Sequence, residues 1–355
     1  MSLAIQRELA IHGSELDIGE EVSRDSLFRL IAYKPQIDET ESTLEKLDSV
    51  RDLVPILDGL AVRKLNKRNR SLWPNIASTF AHSQRVSVLA SLIERQPSLV
   101  PYIPQYGHSA EAMFIPCGNF IEDSPHHIVL ENRSAISPLL SHASELHDIG
   151  KLGVSYLVDA DKKLNDAELK IVRLHPIIGY VLFSYLELPL FVSSVALGHH
   201  MRYDGQGSPF EEDIPHLIKI VCDDYNLPLP KHTNYQDIMH ATAVEFTELF
   251  KPKLFLASKE TYLDDGIALE ESIQSWVKFR ISLNMLCDWI DALFGNGRPY
   301  VPSRDTDEIL ATLLAGCGTI FHPSLASPLQ SAWKDIVGIE GLSTIVKVSS
   351  AQSRK

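Results

Sequence analysis

The chain has 355 residues, 45% hydrophobic and 22% charged. That is a globular composition; a disordered chain would carry fewer apolar and more charged residues. Lys and Arg number 33 against 46 Asp and Glu, a formal charge of -13, and a diffuse acidic excess repels phosphate backbones and excludes duplex nucleic acid as a partner. The basic run Lys64, Lys67, Arg68 and Arg70 is too short to reverse this. Cys117, Cys222, Cys287 and Cys317 lie far apart with no CxxC pair, which argues for a reducing compartment and against a disulfide framework or a cysteine zinc site.

Residues 1–70 read as a small, mainly helical accessory region, with Leu27, Leu30 and Ile31, then Leu44, Leu47, Val50, Leu53 and Val54, at helical spacing. The segment Met1 to His12 lacks a basic start followed by an apolar run, so it is not read as a signal peptide, and a cytoplasmic location is expected. Trp73-Pro74 marks a boundary, because proline biases the residue before it away from helix. A second domain is expected over 75–340, helical almost throughout. Leu89, Leu92 and Ile93 form one face of its first helix; residues 97–135 interrupt it as a proline-rich, loop-like insertion. Helical pattern resumes at Leu139 and runs with turns to about 221. The apolar stretch Pro176 to Leu197 is broken by Glu187 and Pro189, so it reads as buried helices rather than a membrane span. A second insertion covers about 224–275. A helix from about 272 to 294 stops at Gly295-Asn296-Gly297, and another runs from Asp305 to about Ala315.

The chemistry-bearing residues fall in five segments: His82-Ser-Gln-Arg85-Val, His147-Asp148-Ile-Gly150-Lys151, His175-Pro176-Ile-Ile-Gly179, His199-His200-Met-Arg202-Tyr-Asp204-Gly205-Gln-Gly207-Ser208-Pro209, and Cys287-Asp288-Trp-Ile-Asp291. Imidazoles and carboxylates are the ligands that Fe, Mn, Zn or Ni accept. Five histidines and two carboxylates exceed the needs of one metal with an open position. They suit two ions sharing a carboxylate, about 3.5–4 Å apart, acting on a phosphodiester. On a helix, Asp148 would follow His147 by about 100° of rotation, and Lys151 would return to nearly the same side as Asp148. Gly150 allows close approach of another element. His199 and His200 end an apolar helix and precede a glycine-rich turn, so both rings converge on one place. His12, His216, His232 and His240 read as ordinary surface or core residues, as does the pair His126-His127 in the irregular stretch. His142 points about 140° away from His147 on a helix and reads as a core or supporting residue.

Together these segments resemble the HD-GYP family of the HD phosphohydrolase superfamily. HDIGKLGV (147–154) is similar to its HD motif, KLNDAELKIVRLHPIIGYVLF (163–183) to its HP helix, and HHMRYDGQGSP (199–209) to HHExxDGxGYP. LCDWIDALFGNGRPYVP (286–302) is similar to the segment carrying the last metal aspartate, and GTIFHP (318–323) to the closing helix turn. The resemblance covers about residues 75–335. It implies an all-α HD-domain helical bundle, with insertions, whose metal site hydrolyses cyclic di-GMP.

Carried over residue by residue, the implied metal ligands are His82, His147, Asp148, His175, His199, His200 and Asp288. Asp148 would bridge two divalent ions, Fe or Mn, and a hydroxide held between them would attack. Lys151 would stabilise the developing charge, and Lys151, Asp291 and Arg298 match positions that contact the nucleotide, with Ser208 at the place of the GYP tyrosine.

The chain departs from the family pattern in several places. Ser78 stands where a third-metal glutamate would be, so two ions are expected, unless Glu122 or Asp123 of the insertion supplies the missing carboxylate. Met201 stands for the glutamate after HH and Val301 for a basic residue. Asp223, in the sequence Lys219-Ile-Val-Cys-Asp223, is the alternative last ligand to Asp288. A phosphohydrolase acting on another nucleotide, and a non-catalytic cyclic-dinucleotide sensor with protein contacts through residues 1–70 or the insertions, are the alternative functions.

Overall fold

The segment LFVSSVALG carries no charge, and a helix without a polar face must be covered on every side. It forms a helix (Leu190–Gly198) in which Phe191 to Gly198 are all buried. Its two hydroxyls are satisfied internally: Ser193 Oγ donates to the Pro189 carbonyl at 3.2 Å, and Ser194 Oγ shares a 2.7 Å hydrogen bond with Thr242 Oγ1. At Gly198 an added Cβ would lie 2.9 Å from Ile281, so the glycine lets the long helix carrying Ile281 close against this central one.

The computed structural model describes residues 27–32, 34, 42, 44–53, 79–94, 96, 113–117, 126–130, 133–158, 164–250, 254–257, 266–294 and 305–339. In chain order the helices are α1 (Thr79–Glu94), α2 (Arg133–Glu145), α3 (Ser155–Val158), α4 (Asp166–Val172), α5 (His175–Tyr185), α6 (the central Leu190–Gly198), α7 (Ile214–Tyr225), α8 (Tyr235–Phe250), α9 (Gly266–Leu293), α10 (Thr306–Gly316) and α11 (Ala326–Val337). The fold is all-α in its architecture. Helix α6 is packed by α2, α5, α8 and α9, while α1 lies against α2, α9 and α11. Phe191 of α6 stacks on Trp276 of α9 with centroids 5.2 Å apart, and Phe246 of α8 closes the cluster 4.8 Å from Trp276. Among the described residues no helix is long and apolar enough to cross a membrane.

Local signals set the helix ends. Asn165 caps α4 through a reciprocal box in which its side chain accepts from the Glu168 amide at 2.9 Å and the Glu168 carboxylate accepts from the Asn165 amide at 2.8 Å. Asp305 caps α10, and Asn226 ends α7 at φ 52 in the left-handed conformation that asparagine tolerates.

Both insertions differ from the loop-and-helix reading. Strands β1 (Met113–Cys117) and β2 (His126–Leu130) come from the first, β3 (Leu254–Ala257) from the second, and they pair antiparallel in the order β1-β2-β3. The β2–β3 register, His127 opposite Ala257 to Leu130 opposite Leu254, joins segments remote in sequence, and β1 lies against α9.

The described parts of residues 1–70 share the core of the helical domain. Helical segments 27–31 and 44–53 bury Leu27, Leu30, Leu47 and Val50 within it. Lys34 Nζ donates to the Tyr185 carbonyl at 2.6 Å and to Glu187 at 2.7 Å, and lies over the Tyr185 ring. A fully buried leucine truncated to alanine leaves a cavity costing about 2–5 kcal/mol. Leu30→Ala should therefore lower the urea midpoint of the single unfolding transition of the whole protein. An unchanged midpoint would show that this segment contributes nothing to the domain's stability.

Candidate metal centre

Chain geometry around His147-Asp148 is a tight turn rather than a helical step. Helix α2 stops at Glu145, Asp148 sits at φ -97, ψ 11, and a 3-10 helix follows over Ile149–Gly153. The reason is Gly150. A Cβ there would fall 1.9 Å from the His175 carbonyl oxygen and 2.7 Å from the Gly179 amide, so the turn and α5 touch backbone to backbone. That contact delivers His175, the first residue of α5, to Asp148. The three-residue period of a 3-10 helix aligns Lys151 with Asp148, and the Lys151 ammonium pairs with Asp148 Oδ2. Helix α6 brings His199 from its C-terminal end, α1 brings His82, and α9 brings Asp288.

The rings are held in one orientation. Nδ1 of His147 donates to the Ser144 carbonyl at 2.7 Å, Nδ1 of His175 to Val172 at 2.6 Å, and Nδ1 of His199 to Ala196 at 2.7 Å. A carbonyl only accepts, so each Nδ1 carries a proton and each ring turns its Nε2 toward the site. All of these point at Asp148. Asp148 Oδ1 lies 3.2 Å from His175 Nε2 and 3.4 Å from His199 Nε2; Oδ2 lies 3.4 Å from both His147 Nε2 and His82 Nε2. Asp288 Oδ1 is 3.0 Å from His82 Nε2. Three sets of donors have ligand atoms within 4.8 Å of one another: His82-His147-Asp288, His175-His199-His200, and His147-Asp148-His199, which joins the other two. Asp148 stands between the first two with one oxygen toward each.

This donor set fits divalent cations. Among the described residues, His82 Nε2, His147 Nε2 and Asp148 Oδ1 are buried without a hydrogen-bond partner. His175 Nε2 and His199 Nε2 face each other at 3.0 Å, two lone pairs in contact that only a shared cation or proton reconciles. Burial pushes the pKa of His175 and of His199 down to about 4, outweighing their contacts with Asp148. Burial, with His199 beside it, pushes that of His200 down to about 3. A proton is therefore poorly held, and a metal is the better partner. Asp148 and Asp288 stay ionised: burial opposes this, but Lys151 and His147 at Asp148, and His82 at Asp288, hold their carboxyls well below the usual range.

The remaining candidates are placed as follows. Asp223 is exposed on α7, away from the cluster that holds Asp288. His142 is buried with Nε2 3.4 Å from Asp48. Ser208 lies in the loop after His200 and its amide donates to the His200 carbonyl at 3.1 Å. Gly207 makes that loop possible, because a Cβ would fall 2.3 Å from the Arg202 amide and the His200 carbonyl. The loop is fastened to the turn after α10 by Tyr203 N to Ile320 O at 3.0 Å and Asp204 N to Thr319 O at 2.8 Å. Asp291, at a motif position that contacts the nucleotide, is 4% exposed and bonded to His82 and Arg85. Arg85 has no role in the sequence motifs, and its i+3 spacing from His82 is the signal that places the two together. Ser78, Glu122, Asp123, Arg298 and Val301 lie outside the described residues.

Comparison with known proteins points the same way. The chain is 35% identical over 127 residues to a cyclic di-GMP phosphodiesterase of Pseudomonas aeruginosa, covering 32% of this chain and 30% of that one. It is 37% identical over 91 residues to a cyclic di-GMP phosphodiesterase response regulator of Xanthomonas campestris pv. campestris, 24% of each chain. It is 34% identical over 95 residues to a cyclic di-GMP phosphodiesterase of Thermotoga maritima, 24% of this chain and 26% of the relative. The chain thus spans less than a third of the length of these curated relatives. No family model matches it.

Protein stripped of metal should lose stability as the pH falls from 6.5 toward 4. His175, His199 and His322 have pKa values lowered from 6.5 to about 4, and His200 to about 3. In that window the unfolded chain binds protons that the fold does not, so stability rises with pH. His82 acts oppositely and higher. Burial works against its charge, but Asp148, Asp288 and Asp291 raise its pKa well above 6.5, so its contribution is complete below 6.5 and lost as pH rises through the raised value. Urea midpoints across the pH range check this, and a flat profile between 6.5 and 4 would contradict it.

Proposed function

We propose that the protein is a metal-dependent cyclic di-GMP phosphodiesterase of the HD-GYP kind, built around two divalent ions, Fe or Mn. The observation that carries this reading is the contact of His175 Nε2 with His199 Nε2 at 3.0 Å while both Nδ1 atoms are committed to backbone carbonyls. The names of the relatives supply the substrate.

In this reading His82, His147 and Asp288 would hold one ion, His175, His199 and His200 would hold the other, and Asp148 would be shared between them. Ions held there supply Lewis acidity for phosphodiester hydrolysis. The chain's own groups do the rest. Lys151, partly exposed beside Asp148, meets a non-bridging phosphate oxygen and stabilises the charge that develops on it. The buried rings keep fixed tautomers, so no reorientation is needed as the substrate arrives. Ser208 and Arg298 would contact the nucleotide by their motif positions, and a serine in place of a tyrosine offers a hydroxyl but little stacking surface.

Metal-loaded protein incubated with a panel of cyclic and linear dinucleotides, with products separated by chromatography, should open cyclic di-GMP to a linear product. Turnover of a different nucleotide alone would move the substrate assignment. Tight binding of cyclic di-GMP without turnover would identify a sensor.

Two substitutions separate the roles. Asp148→Asn should abolish turnover and lower metal content, since an amide cannot bridge two cations as a carboxylate does. Lys151→Ala should leave metal content intact and slow turnover by about 10²–10³-fold, the effect of losing one preorganised transition-state donor. Loss of metal from Lys151→Ala would show that the lysine supports the site instead.

A further inference from the structure

Asp291 and Arg85 form a closed unit behind His82. Arg85 Nε donates to Asp291 Oδ1 at 2.6 Å and Arg85 Nη2 to Oδ2 at 3.0 Å, a two-pronged pair. The same Oδ2 lies 2.6 Å from His82 Nδ1. Arg85 follows His82 by three residues on α1, and Asp291 follows Asp288 by three on α9, so one helical turn on each side places a donor of the cluster and its support together.

His82 differs from the other rings of the cluster. His147, His175 and His199 are fixed by carbonyls three residues back on their own segments. His82 is fixed by a carboxylate from another helix, which arginine in turn locks in place. An arginine fork matches a carboxylate in two directions at once, so the pair sets an orientation as well as a charge. A carboxylate behind an imidazole also makes the far nitrogen a stronger ligand.

We propose that Asp291 and Arg85 are positioning residues that orient His82 and raise its basicity toward a metal, and that Asp291 does not contact the nucleotide. This rests on the metal-dependent reading above. It accounts for the burial of Asp291 at 4% exposure, which leaves little surface for a substrate to reach.

The test begins with the unmodified protein, titrated with Mn²⁺ by calorimetry in the absence of substrate. Failure to bind would sink the metal reading, and this one with it, before any variant is made. Asp291→Asn should then lower Mn²⁺ affinity by about 10–100-fold, the range for loss of a carboxylate behind a metal-binding histidine. Its kcat should fall while KM for cyclic di-GMP holds. Arg85→Gln should lower affinity in the same direction, and Arg85→Lys, which keeps the charge without the fork, should recover part of the loss. The double variant Arg85→Gln/Asp291→Asn should be no worse than Asp291→Asn alone, because the two residues act through one bond. Circular dichroism melts report whether each variant folds, and Arg85→Lys keeps the test alive if Asp291→Asn does not. Unchanged Mn²⁺ affinity with a raised KM would overturn the proposal and return Asp291 to the substrate. Additive losses in the double variant would overturn the coupling.

Discussion

The site depends on where four histidine rings put their protons. At His147, His175 and His199 the backbone takes the Nδ1 proton, and at His82 a carboxylate does. Every Nε2 is then turned inward onto one buried aspartate. The facing lone pairs of His175 and His199 repel one another, so the fold holds them together at a cost that bound cations offset. Metal affinity in such a site is also folding free energy, because the unfolded chain has no comparable site. The helices around the cluster can be read as the scaffold that keeps these groups near one another.

Close backbone approach is how the scaffold does it. Gly150 lets the Asp148 turn touch α5, Gly198 lets α9 reach α6, and Gly207 lets the loop after His200 fold back on itself. Each contact fixes the position of a different donor: His175, Asp288 and His200. A Cβ at Gly150 or Gly207 would meet backbone, which cannot step aside as a flexible side chain can. The apolar α6 anchors the whole set, since it packs on the helices carrying His175 and Asp288 and itself ends at His199.

Much of this was legible in the sequence because the key residues come in short runs. HD and HH each place two ligands on adjacent residues, so those pairs are local, while His175 of HP joins them through the contact at Gly150. The helical periods of α5, α6, α9 and α10 were equally plain, as was the stop after α9. What the sequence left open was non-local. Asp223 and Asp288 both follow a cysteine on an apolar helix, and only the packing of α9 against α1 brings Asp288 to His82 while Asp223 faces outward. Strand β3 is not legible because its partner β2 lies in the other insertion. Asp291 was read from its motif position, and its bond to His82 joins residues 209 apart in the chain. Nothing in the pattern of the N-terminal segments records that Leu27 and Leu30 join the core of another part of the chain.

The central claim is that Asp148 bridges two ions, and anomalous diffraction from crystals grown with Mn²⁺ tests it most directly. The account predicts two peaks, one on the Oδ1 side of Asp148 among His175, His199 and His200, the other on the Oδ2 side among His82, His147 and Asp288. A single peak, or peaks that leave either Asp148 oxygen uncoordinated, would contradict it.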